Sequence, residues 1–209
     1  MSEADLTESR RVLVRLSAAV AAGDQGRLEA ALADARTGAD ALAVEEALLQ
    51  SYLFVGYPAA LAALAAWRRV SGRTAGEPAA QEWDAWRERG ERVFSRVYAQ
   101  QADALRGNVR ALHPDMETWM VTEGYGKVLG RPGLPLTERE ICIVAILVVA
   151  HAPTQLYSHL RGALEVGVEP PAVTAAVEEA AGFASPQAAE VARRTWADLR
   201  ARRTRGEEA

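Results

Sequence analysis

Redox, metal and disulfide chemistry depend on residues that this chain almost lacks: one cysteine and three histidines stand among 209 residues. A single thiol, Cys142, excludes an internal disulfide and fits a reducing cytoplasm. His113, His151 and His159 show neither the i, i+4 pairing nor the His-Glu-x-x-His pattern of a helical zinc site, so no metal is expected. No basic stripe accompanies the net charge of −4, which argues against nucleic acid and anionic membrane surfaces as partners. The first residues carry neither a basic nor an apolar stretch of the kind that directs export. The longest apolar run, Ile141 to Ala150, is half of the roughly 20 residues needed to cross a bilayer. Gly124-x-Gly126-x-x-x-Gly130 misses the dinucleotide-binding spacing and follows no strand. A cytoplasmic globular protein is expected.

Helical periodicity fills the remainder. Aromatics make up 6% of the residues against 49% hydrophobic, so the core consists of Ala, Leu and Val, whose small side chains let helices approach closely. Val12, Leu13, Leu16 and Val20 trace a half-buried helix, and Val44, Leu48, Tyr52 and Val55 a second that closes at Gly56. Pro58 suits the first turn of the next helix. Gly72 to Ala79 reads as a linker, and a long helix follows from Trp83 to Leu105, ending near Gly107. His113-Pro114-Asp115 opens a helix carrying Trp119. Gly124 to Gly133, with four glycines and a proline, reads as a loop. Thr137-Glu138-Arg139-Glu140 then reads as a capping box. The run behind it is rich in β-branched residues and alone suits a buried strand. The cap and the lack of a partner strand favour a buried helix. Helices are also expected from Thr154 to Val166, from Pro170 to Gly182, and from Ser185 (N-cap, Pro186 at N1) to Arg202.

The fold class is therefore all-α. Gly56-Tyr-Pro58-Ala-Ala echoes Ala184-Ser-Pro186-Gln-Ala-Ala, which suggests a helical bundle of two degenerate repeats. The division is 1–72 for the first repeat, 73–106 for linker and connecting helix, and 107–205 for the second, complete repeat. With the prolines superposed, Val12 and Ala31 stand where the second repeat has Glu140 and His159, so only the second holds a titratable pair.

The ordered set Leu129-Gly-Arg131-Pro-Gly-Leu134, Arg139-Glu140 and Gln155-Leu-x-x-His159-Leu-Arg-Gly-Ala-Leu-x-x-Gly167-Val resembles the carboxymuconolactone decarboxylase family, which also includes the AhpD-like alkylhydroperoxidases. The better match covers Arg110 to Ala189, with a fainter one over Val12 to Trp67. The resemblance implies an all-α homo-oligomer, a trimer or hexamer. In the peroxidase branch a Glu precedes a Cys-x-x-Cys-x-x-x-His element. Glu140 and His159 keep that separation, but Ala152 and Gln155 occupy the cysteine positions. Peroxide reduction needs a thiolate and a resolving thiol, so a thiol peroxidase is rejected.

The decarboxylase branch, by the same resemblance, needs no cofactor and acts on a small carboxylated lactone or related carbonyl acid. Such a substrate is its own electron sink; the protein must hold carboxylates, stabilise an oxyanion and protonate carbon. His159 is then the candidate proton donor and Glu140 its orienting partner. Lys127, the single lysine among 24 basic residues, stands with Tyr125 as a candidate substrate contact, and Arg131, Arg139 and Arg161 as carboxylate clamps. Each has a plainer reading: a packing histidine, a capping-box glutamate, a solvated lysine, a loop brace, surface charges. Trp83, Trp86, Trp119 and Trp196 read as core or interface anchors. The alternative to a lyase is a catalytically silent oligomeric scaffold or binding protein of the same fold.

Overall fold

The computed structural model describes residues 6–78 and 82–206; the last linker residue, Ala79, lies outside them. Helices α1 (Glu8–Ala22), α2 (Gln25–Gly38), α3 (Ala41–Gln50) and α4 (Tyr52–Ser71) gather around Leu16, Leu32, Leu48 and Trp67. Thr7, Asp24 and Asp40 cap the first three, each side-chain oxygen accepting from a first-turn N–H, which satisfies donors that a helix start leaves open. Gly56, at φ 77° and ψ 169°, breaks the helical path two residues before Pro58, a kink that glycine tolerates but not the left-handed C′ ending expected there. The chain turns earlier as well, bending by 116° between α3 and α4 at Ser51.

The C-terminal helices are α8 (Leu136–Val149), α9 (Pro153–Glu165), α10 (Pro170–Ala181) and α11 (Pro186–Thr204). No strand occurs among the described residues. The apolar run is a helix at the centre of the molecule. Every residue of α8 from Arg139 to Val148 is buried, because α1, α9, α10 and α11 pack around it. A helix enclosed on all sides shows no polar face, which is why its sequence also suits a buried strand. Ser185 caps α11, accepting from the N–H of Ala188 at 3.2 Å, and Pro186 takes the first position.

Three expectations are corrected. The helix from Trp83 stops at Tyr98: α5 (Trp83–Tyr98) ends where Ala99 takes φ 46°, ψ −122°, and a 3-10 turn (Ala99–Gln101) leads into α6 (Ala102–Leu112). Gly107 lies inside α6 instead of ending it. Second, Gly124 to Gly133 is not a loop through its first half. The helix α7 (Pro114–Trp119), capped by His113, runs on as a π-helical segment, Met120–Leu129. Gly126 there and Gly90 on α5 serve close approach. A Cβ on Gly126 would lie 2.0 Å from the Trp86 carbonyl oxygen, and one on Gly90 2.1 Å from that of Val121. Backbone meets backbone where α5 crosses the π segment. Gly126→Ala is therefore expected to cost more than the ~1–3 kcal/mol of ordinary overpacking, since no side chain can move aside; urea unfolding against Gly107→Ala, where the space is open, measures it.

Third, there is no capping box at Thr137. Pro135 occupies the N-cap position of α8, and the Thr137 hydroxyl donates to Glu138. Glu140 stands two positions past N3 and has no capping task.

No single helix among the described residues is long and apolar enough to cross a membrane.

Candidate active site

Glu140 leaves α8 on the side that faces α9. Its Oε2 accepts from Nδ1–H of His159 at 2.9 Å. Glu140 is fully buried and His159 is 7% exposed. The other carboxylate oxygen, Oε1, is buried and has no hydrogen-bond partner among the described residues. The imidazole lies edge-on between Phe54, with ring centroids 5.7 Å apart, and Tyr98, at 6.5 Å. Gly162 makes the approach of α9 possible: a Cβ there would sit 2.7 Å from Val97 and 3.2 Å from Glu140 Oε2.

Beside the pair, α5, α6 and α9 enclose a cleft of about 170 Å³ lined by Tyr98, Gln101, Leu105, Asn108, Tyr157 and Arg161, with Ala104 and Ser158. That volume is small against the roughly 300–1,000 Å³ of most ligand pockets, so it suits a compact molecule. Among the described residues no carboxylate lines it, and Arg161 is the one charged residue of its wall. The Tyr157 hydroxyl is buried without a partner among the described residues. Tyr98 belongs to both places, forming cleft wall on one side and flanking His159 on the other. Its hydroxyl lies 2.6 Å from that of Tyr125. Burial, with the Glu140 carboxylate adding to it, raises the Tyr98 pKa, and burial holds Tyr125 well above the usual phenol range. Both phenols stay protonated.

Of the seven residues singled out in the sequence, the structure brings Glu140 and His159 together and sets Arg161 in the neighbouring cleft. The others go elsewhere. Arg139 is a fully buried structural cation: Nη2 donates to Glu46 at 2.8 Å and to the Arg131 carbonyl at 3.1 Å, Nη1 to Gln50 at 3.2 Å, and Nε to the Leu134 carbonyl at 3.2 Å. Burial lowers its pKa even though Glu46 acts in the opposite sense. Arg131 donates to the same Glu46 through Nε and Nη2 at 3.0–3.1 Å. These two arginines, read as carboxylate clamps, are held by a carboxylate of the protein itself. Lys127 rests over the Trp86 ring, 5.1 Å from its centroid, a cation–π contact outside the cleft lining. Tyr125 stands behind Tyr98 and does not line the cleft.

Sequence reasoning missed Tyr98, Tyr157 and Phe54. Tyr157 lies within the His159 motif, and its i, i+4 spacing to Arg161 was the available signal. Nothing local marks Tyr98 or Phe54, which come from other helices. The tryptophans divide: Trp196 is buried with Nε1 donating to Thr174 at 2.9 Å, while Trp83 and Trp119 are 44% and 50% exposed.

The thiol is inert. Cys142 is fully buried and its pKa is pushed up to about 12 by that burial. Below that value the folded protein holds almost no thiolate, so at pH 8 iodoacetamide should leave Cys142 unmodified in buffer and label it in denaturant. Mass spectrometry of the two samples checks this. No group of three or more His, Cys, Asp or Glu side chains among the described residues is placed to hold a metal ion.

In comparison with known proteins, residues 114–198 fit the model of the Carboxymuconolactone decarboxylase family. That segment runs from α7 into α11 and contains Glu140, His159, Tyr157 and Arg161. The fainter resemblance over Val12 to Trp67 falls outside it. No curated protein matches the chain.

Proposed function

We propose, from the fit of residues 114–198 to the model of the carboxymuconolactone decarboxylase family, that the protein is a cofactor-independent carboxy-lyase acting on a small carboxylated lactone or a related carbonyl acid. One observation carries the reading: a fully buried glutamate with one oxygen on an imidazole and the other unpartnered. Leaving a buried carboxylate oxygen unsatisfied costs roughly 1–3 kcal/mol or more. A scaffold gains nothing from that arrangement, whereas a proton-transfer site does.

In the proposed reaction the bond between the substrate carbon and its carboxylate breaks and CO₂ departs. The electron pair moves through the adjacent double bond onto the lactone carbonyl oxygen. Nε2–H of His159, held by Glu140 through Nδ1, then delivers a proton to carbon, and water restores the imidazole proton. Arg161, which meets no carboxylate among the described residues of the cleft wall, binds the substrate's remaining acid. Screening unsaturated lactone acids for CO₂ release tests the reading; no turnover across the class overturns it.

The second reading, a silent scaffold, is favoured by one observation. His159 does not itself line the cleft, so substrate must reach it past Tyr98. The same assay decides between them. Assembly into a homo-oligomer belongs to the proposal too: Leu112, Met116 and Trp119, together with Leu42, Tyr57 and Leu61, are about half exposed or more, and such surfaces gain from a partner copy. Light scattering measures the mass.

A further inference from the structure

We infer that Tyr98 is the oxyanion donor of this site and Tyr125 the residue that positions it; the inference rests on the decarboxylase reading and adds a residue from outside the matched segment. A decarboxylation places negative charge on the substrate's carbonyl oxygen, and preorganised donors aimed at that oxygen supply much of the catalysis. Among the described residues the cleft wall carries no carboxylate, and its residues with donor side chains include Arg161, Gln101, Asn108, Ser158 and Tyr98.

Of these, only Tyr98 also flanks His159. An oxygen bound by Tyr98 is therefore the one that lies between the cleft and the proton donor. Either hydroxyl of the Tyr98–Tyr125 pair can be the donor. Each phenol has one proton. Tyr125 is buried, and its hydroxyl meets that of Tyr98 at 2.6 Å. If Tyr125 donates to Tyr98, the Tyr98 proton is free to turn into the cleft, and as charge builds on the ligand the two bonds strengthen each other. The donation also suits the electrostatics, since Tyr125 helps Tyr98 against burial.

The ending of α5 explains how the ring comes to be there. Tyr98 is the last residue of that helix, and the positive φ of Ala99 turns the chain away immediately after it. The same turn carries Gln101, Ala104, Leu105 and Asn108 to the opposite side of the cleft. Phe94 packs against both phenol rings, with centroids 4.6 Å from Tyr98 and 5.0 Å from Tyr125, so neither ring is free to swing.

The test uses the full-length protein with Tyr98→Phe, Tyr125→Phe and the double variant, in which no phenol is left unpaired. With a lactone acid that wild type decarboxylates, Tyr98→Phe and the double variant should lower kcat about 10²–10³-fold with KM changed less than threefold. Tyr125→Phe should lower kcat by a smaller factor, again with KM unchanged. A second readout needs no turnover. 4-Hydroxy-3-nitrobenzoate carries a carboxylate and an ionised phenol, whereas 3-nitrobenzoate lacks the oxyanion. Wild type should bind the first more tightly, and Tyr98→Phe should lose that preference at least tenfold while binding the second unchanged. Turnover that falls with His159→Gln but not with Tyr98→Phe overturns the oxyanion assignment and leaves the lyase. Loss of the binding preference without turnover by wild type keeps the assignment and overturns the lyase. Absence of both effects overturns both.

Discussion

Replacing His159 by glutamine is expected to abolish turnover, lowering kcat by about 10²–10⁴, the range that a positioned acid supplies, while the melting temperature changes little. Glutamine can still present an amide N–H to Glu140 Oε2, so the buried carboxylate keeps its partner. What disappears is a group that can release a proton to carbon and recover one from water. Glu140→Gln should act in the same direction for a different cause. The imidazole loses the anion that fixes which nitrogen faces outward, and a neutral amide replaces a charge that is buried at a cost. That variant should hold or gain stability while losing rate, which separates a functional glutamate from a structural one. Steady-state kinetics with thermal unfolding of both variants gives the result. A fall of several degrees for His159→Gln with unchanged kcat would identify a packing histidine.

Whether the pair would meet was legible in the sequence because both members lie in one motif. α8 and α9 are consecutive, joined by a short connection after Val149, so their facing sides are set by helical period alone. The start of α10 at Pro170 and the Ser185 cap with Pro186 on α11 were legible for the same local reason. What was not legible depends on distant partners. Arg131 and Arg139 look like ligand clamps until Glu46 appears, 85 and 93 residues earlier in the chain. Tyr98 sits where a helix ends at an alanine with positive φ, a conformation that L-residues rarely adopt and no local residue announces. The glycines of 124–133 signal a turn by composition, but Gly126 is there because the Trp86 carbonyl leaves no room for a Cβ. Period and punctuation read local structure; a close crossing or a buried counter-ion requires the tertiary fold.

The largest stability effect is expected at the buried ion pair that ties α3 to α8. Arg139 has no exposure and Glu46 is 4% exposed. Removing one partner of such a pair leaves the other buried without compensation, a loss of about 3–5 kcal/mol. Arg139→Met should therefore lower the melting temperature by about 10 °C, from the roughly 2–4 °C per kcal/mol of a chain this size. Arg131 softens the effect, since its guanidinium still reaches Glu46 at 3.0 Å, but it is partly exposed and cannot replace the bonds to Gln50 and the Leu134 carbonyl. Glu46→Leu alone should cost as much or more, because Arg139 then stays charged and enclosed. The double variant Arg139→Met, Glu46→Leu should recover most of the loss. Arg131 can turn its charge to solvent, and two apolar side chains of similar volume fill the space. Denaturant unfolding of the two single variants and the double measures the coupling. Losses that simply add would mean the pair contributes nothing as a pair. Recovery in the double variant, with turnover unchanged, would assign both residues to the frame of the site and neither to its chemistry.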